Sequence, residues 1–165
     1  MKTSKGTESC SNRRLFAIDI ENYCGKPKLS EADIVMARSE ICDGYKVSDL
    51  DLVVIGTSAS QNCLNAGLGW ENARLVMKKG CDGADHALIE ALSEYPLYRF
   101  DEVLLISGDG MFLECVKAMI TDGIKVTVVS QRKRMSQKLK MATPSVQYIS
   151  RKKNVGGKCL QQRET

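Results

Sequence analysis

Three aspartates, Asp19, Asp85 and Asp109, are expected to converge at one edge of a sheet, and the first of them stands where a carboxylate is costly unless something binds it. Asp19 directly follows the apolar run LFAI, and Asp109 closes the loop after the equally apolar DEVLLIS. A charge at the end of a buried strand loses hydration that only a bound group restores. Asp85 lies in the first turn of the helix pattern ADHALIEALSEY. At an effective dielectric near 20, two carboxylates about 5 Å apart repel by roughly 3 kcal/mol, so a bare cluster is destabilised or partly protonated. A hard divalent cation removes that cost. Mg²⁺ or Mn²⁺ takes oxygen ligands and keeps several waters, which suits such an edge to hydrolysis of a phosphodiester. Two of the acids have a second reading, Asp85 as a favourable charge at a helix N-terminus and Asp109 as a turn residue in S-G-D-G, whereas Asp19 is harder to dismiss. Asn22, three residues after Asp19, can orient a water or meet a phosphate, and serves equally as a turn former. His86 is the single histidine and points about 100° round the helix from Asp85, as a surface residue would.

These residues converge only if the chain builds one sheet edge. LFAIDI, DLVVIGT, DEVLLIS and IKVTVVS are short continuous apolar runs, the pattern of strands buried on both faces, with 73–77 and VQYIS as weaker strands. Between them fall helical patterns. Ser30 opens a capping-box-like S-E-A-D with a stop at Gly44. A short helix is expected within 58–65, before a turn at Gly67 to Gly69. Asp82 reads as N-cap of the next helix, MFLECVKAMI is closed by Asp122-Gly123, and a basic helix spans about 136–142. The stretch ENYCGKPKLS reads as turn. Alternating strands and helices predict a three-layer α/β/α sandwich with a mostly parallel sheet, whose ligands bind outside the carboxyl ends of the strands.

Length and composition bound the rest. The chain has 165 residues, 43% hydrophobic and 27% charged, the range of one ordinary domain. The expected division is a flexible lead-in over 1–13, a domain over 14–150 and a basic disordered tail over 151–165. No apolar stretch is long enough to span a bilayer, so no membrane partner is expected. Seven cysteines without zinc spacing or a C-x-x-C pair read as reduced thiols of a cytoplasmic protein. The net charge of +4 is modest but gathered: Arg132, Lys133, Arg134 and Lys138 crowd one segment. Such a run is either a solvated face or a phosphate-binding surface.

Taken together, the spacing resembles the NYN domain, a PIN-like ribonuclease family. Asp19-Ile20-Glu21-Asn22 is similar to its D-x-x-N, Gly83 to Leu88 to its G-x-D-x-x-L, and Ser107-Gly108-Asp109-Gly110 to its S-G-D-G. Ser136 to Leu139 with Tyr148-Ile149 is similar to its closing helix and strand. The match covers about residues 14–150, and four ordered motifs are more specific than any one. The resemblance implies a PIN-like fold and metal-dependent cleavage of RNA. It also implies catalytic residues Asp19, Asn22, Asp85 and Asp109, the three aspartates holding Mg²⁺ or Mn²⁺. The expected partner is single-stranded RNA, met by Arg132, Lys133, Arg134 and Lys138, with a homodimer left open. One position departs from the pattern: a frequent second acid after S-G-D-G is Met111, whose thioether does not ligate Mg²⁺. Either three acids suffice, Glu114 helps, or the site is degenerate. The alternative function is a catalytically weak or inactive module that binds RNA or a protein. A phosphoaspartyl enzyme, with Glu21 as its second acid, ranks last.

Overall fold

The apolar runs become strands hidden from solvent on both faces. In the computed structural model, which describes residues 12–151 and the backbone of residues 163–164, β1 (Arg14–Asp19), β2 (Leu52–Thr57), β4 (Glu102–Ile106) and β5 (Val126–Ser130) are buried almost throughout. The short β3 (Arg74–Met77) and β6 (Ser145–Ile149) flank them and are more exposed. These six strands pair in parallel in the order β3-β2-β1-β4-β5-β6. A two-residue β7 (Arg163–Glu164) adds antiparallel to β6.

Alternate residues of each central strand feed two separate cores. Leu15, Ala17, Val103 and Leu105 face one side, where they meet Leu88 and Leu92 of α4 (Gly83–Glu94), Val116 of α5 (Leu113–Thr121) and Leu139 of α6 (Gln137–Ala142). Phe16, Ile18, Leu104 and Ile106 face the other, against Ile20 and Tyr23 of α1 (Ile20–Cys24), Ile34 and Ile41 of α2 (Glu31–Tyr45) and Ala66 of α3 (Ser60–Gly69). The architecture is therefore the three-layer α/β/α sandwich the alternation predicts. Among the described residues no helix is long and apolar enough to cross a membrane.

Local chemistry explains most helix ends. Ser30 and Asp33 close a reciprocal capping box, and Ser136 caps α6 through the Leu139 amide. Other ends differ from the sequence reading. The stretch after Asp19 contains α1, because Asp19 itself accepts the Asn22 amide as N-cap and Gly25 ends the turn at φ 72°. Helix α3 runs through Gly67 to Gly69, since Gly69 lies against Ile34, with an added Cβ only 2.8 Å from that side chain. Asp82 precedes α4 at φ 55° and makes no side-chain cap bond. The basic helix expected over about 136–142 is α6, and a 3₁₀ turn over Arg132–Arg134 precedes it.

Of the lead-in, Asn12 and Arg13 alone lie within the described residues, and the Arg13 amide is held by Asp101 at 2.8 Å. The expected disorder of the tail falls mostly outside them. Arg151, however, belongs to the fold: it pairs with Glu40 at 2.9 Å, donates to the Tyr23 carbonyl and stacks on the Tyr23 ring.

At the amino edge of the sheet, Asp51 accepts from the Arg14 guanidinium at 2.8 Å, from the Arg14 amide and from the Ser48 amide. Burial raises the Asp51 pKa, but these donors outweigh it and leave the carboxyl below its ordinary value of 3.8. Asp51→Asn is expected to destabilise the domain by about 2 kcal/mol in urea unfolding at neutral pH. A carboxyl depressed in the native state contributes fully above its unfolded value and loses its contribution as pH falls through the native one. The gap between wild type and variant should therefore close below about pH 4.

Candidate functional site

The strand order reverses between β1 and β4, so the crevice at their carboxyl ends is the switch point where such sheets bind ligands. Asp19 ends β1 on one side of it, and the Ser107 to Asp109 loop follows β4 on the other. Asp85 arrives from the first turn of α4. Its approach depends on Gly56, which pairs with Asp19 across β1 and β2. A Cβ at Gly56 would stand 2.6 Å from Leu88 and 2.8 Å from the Ala84 carbonyl, so only glycine lets α4 lie this close to the strand. Gly83 is equally constrained, its missing Cβ falling 1.8 Å from the Lys78 carbonyl.

Of the three sequence-predicted acids, Asp19 and Asp85 are paired, and Asp109 is near enough for its charge to act on both. Asp19 and Asp85 are 4% and 5% exposed, and their carboxyls lie within hydrogen-bonding reach of each other. Burial raises the Asp19 pKa; the Asn22 amide and Asp85 oppose the rise, while Glu21 and Asp109 add to it. Burial pushes Asp85 up to about 8, with the charges and hydrogen bond of Asp19 and then the charge of Asp109 adding to the effect. One proton shared by the pair fits both shifts, because two like charges at hydrogen-bond distance do not both ionise. Asp109 is half-buried and is fixed by accepting the Met111 amide at 2.8 Å. Its loop is seated by Gly108, whose carbonyl accepts the Ser136 amide at 2.8 Å and whose Cβ would strike Ser130 and the Arg134 backbone.

Two buried oxygens at this edge, Asp85 Oδ1 and Thr57 Oγ1, have no hydrogen-bond partner. An orphaned buried carboxylate oxygen beside two other carboxyls is what a hard cation would satisfy, and the donor set is oxygen-only. Among the described residues no three acidic, cysteine or histidine side chains already stand in closed ligand geometry. The acids would have to draw in by side-chain rotation to share an ion.

The remaining candidates divide. Asn22 is placed by the Asp19 cap and by Arg134, which donates to its carbonyl at 3.1 Å. Glu21, which the phosphoaspartyl reading needs as a proton donor, is instead an engaged acceptor. It takes bonds from the Ser58 amide, the Ser58 hydroxyl at 2.6 Å and Asn62 at 2.7 Å. Met111 is 36% exposed, whereas Glu114 is engaged by Lys117 at 3.0 Å. His86 is exposed, as expected.

In the basic segment, Arg132, Lys133 and Lys138 are exposed. Arg134 differs from expectation: its guanidinium is turned inward against Gly25, where it holds α1. Arg134 therefore positions Asn22 and is poorly placed as a phosphate contact. Sequence reasoning missed Gly56, Glu21 and Arg134 in these roles. The one local signal was the glycine in LVVIGT, an unusual residue for a central strand.

No family model matches the chain, and no curated protein does. Among solved structures, a Vibrio parahaemolyticus protein of unknown function superimposes with a TM-score of 0.58 at 18% identity, over 88% of this chain and 97% of that one. At this identity the likeness establishes the fold alone.

An acid pair buried this way opposes folding when nothing is bound. In EDTA, Asp85→Asn should melt higher than wild type by roughly 1–2 kcal/mol of added stability, because the amide keeps the shape and can donate to Asp19. A lower melting temperature would show that the carboxyl pair is a net stabiliser as it stands.

Proposed function

We propose that this domain is a divalent-metal-dependent ribonuclease of the NYN, PIN-like type, acting on single-stranded RNA in the cytoplasm. The observation that carries the reading is the buried Asp19–Asp85 pair facing Asp109 across the switch-point crevice, with one Asp85 oxygen unsatisfied. Mg²⁺ or Mn²⁺ held by Asp19, Asp85 and Asp109 would supply neutralisation of the carboxylates and activation of water against a phosphodiester.

The chain's own residues do the positioning. The Asn22 amide orients Asp19, the Met111 amide orients Asp109, and Gly56 sets the depth of Asp85. Asn22, three residues after Asp19, would meet a scissile phosphate or a water. The exposed cations Arg132, Lys133 and Lys138 follow β5 on the same edge and would hold the polyanion by backbone charge. The competing reading is a binding module with little or no turnover, and Met111 in place of an acid is the feature that favours it.

The deciding assay is cleavage of a labelled single-stranded RNA with Mn²⁺ or Mg²⁺. Asp19→Asn should lower the rate at least about a hundredfold, and EDTA should abolish cleavage. Wild type should also gain roughly 2.7 kcal/mol of stability at metal concentrations about 100 times the dissociation constant, a gain absent from Asp19→Asn/Asp109→Asn. Metal stabilisation without cleavage would favour the binding module.

Met111 gives a second test. Met111→Asp should tighten metal binding in calorimetric titration, since an added carboxylate contributes a hard ligand. Unchanged affinity would place residue 111 outside the ion's reach.

A further inference from the structure

Two strands along from Asp109, the carboxyl edge carries a second feature that the acidic crevice does not use. A cleft of about 340 Å³ opens between the turn after β5 and the end of β6, lined by Gln131, Arg132, Lys133, Tyr148 and Arg151 among others. Its volume falls within the roughly 300–1,000 Å³ of small-ligand clefts. None of its described lining residues is acidic. Arg132 lies over the Tyr148 ring at 4.3 Å from the centroid, and Lys140 approaches the same ring at 5.8 Å. The Arg151 guanidinium is committed to Glu40 and the Tyr23 carbonyl, so it braces the wall.

We infer that this cleft is a nucleotide subsite for an unpaired base of the RNA strand. The inference rests on the proposal that the domain acts on RNA. A guanidinium set over an aromatic ring joins positive charge to a stacking surface, and unstacked bases are bound on guanidinium planes as well as on aromatic rings. That stacking uses the face of Arg132 and leaves its edge nitrogens to their own contacts. Lys133, exposed beside it, meets the adjoining phosphate.

At the usual strand spacing, the cleft lies about 10 Å from the end of β4, so one RNA strand laid along the edge reaches both the cleft and Asp109. A base held in a duplex cannot stack there. The subsite therefore selects single strands over double strands without reading their sequence.

The test separates stacking from charge. Binding of fluorescent single-stranded and duplex RNA of the same sequence is measured in EDTA, where cleavage is stopped, across a salt series. Arg132→Lys keeps the charge and loses the plane. It should weaken single-strand binding about fivefold or more, leave duplex binding and the salt slope unchanged, and so reduce the preference for single strands. Lys133→Ala should instead flatten the single-strand salt slope by about 0.7. Equal losses for both RNAs in Arg132→Lys, or none for either, would overturn the subsite. Failure of wild type to bind single-stranded RNA would overturn it too. If wild type binds with the expected Arg132 dependence but never cleaves with Mn²⁺ or Mg²⁺, the subsite stands and the nuclease reading falls. If wild type cleaves and Arg132→Lys cleaves and binds like it, the reverse holds.

Discussion

Two carboxyl groups placed side by side under a helix set the terms for this molecule. Asp19 and Asp85 lie at hydrogen-bond distance in a site almost closed to solvent, where the repulsion between charges is strongest and water cannot screen it. A fold that merely filled a core would not choose this. Keeping the pair requires a strand residue without a side chain, Gly56, and a helix whose first turn presses on it. It also requires α1, a helix of five residues capped by one of the carboxylates. The surrounding architecture holds the acids where they are costly, and a bound cation is the simplest agent that reverses the cost.

That support reaches across the sheet from the segment whose charge suggests a nucleic-acid surface. Arg134, inside the basic run, reaches back 112 residues to the carbonyl of Asn22. The Ser136 amide holds the Gly108 carbonyl, and so the loop that carries Asp109. The turn after β5 thus has two faces. Its inner side fixes both walls of the crevice, and its outer side carries the exposed Arg132 and Lys133. A ligand drawn to the outer side is delivered next to the acids by the turn that orients them. Removing all the positive charge from this turn would disturb the acidic site as well as binding, which is why the two contributions need separate substitutions.

Much of this is legible in the sequence because it depends on local pattern. Strands buried on both faces need uninterrupted apolar runs, and LFAI and VLLI supply them. An acid at the end of such a run is conspicuous, so the residue order alone places Asp19 and Asp109 at one edge. Asp85 is legible because a helix following β3 must start from that edge. What the sequence hides depends on partners far apart in the chain. Glu21 meets Ser58 and Asn62, and Arg151 meets Tyr23 and Glu40, with no spacing to announce either. The glycines at 67 and 69 read as a turn, because their use as close contacts inside a helix is visible only once Ile34 and Leu75 are in place. Asp82 has the right residue type for a cap, but its positive φ turns it out of capping geometry.

The Arg14–Asp51 clamp and the acid cluster lie at opposite ends of the same strand. From Arg14 to Asp19 the rise is about 16 Å, and the clamp is a paired cation and anion, so at the acids its field is that of a distant dipole rather than of a charge. Mutations at the amino edge can shift melting temperature while leaving the proton affinities of the acids almost untouched. Thermal stability and the chemistry of the acids are thus set at opposite ends of one strand, and each can be engineered with little disturbance of the other.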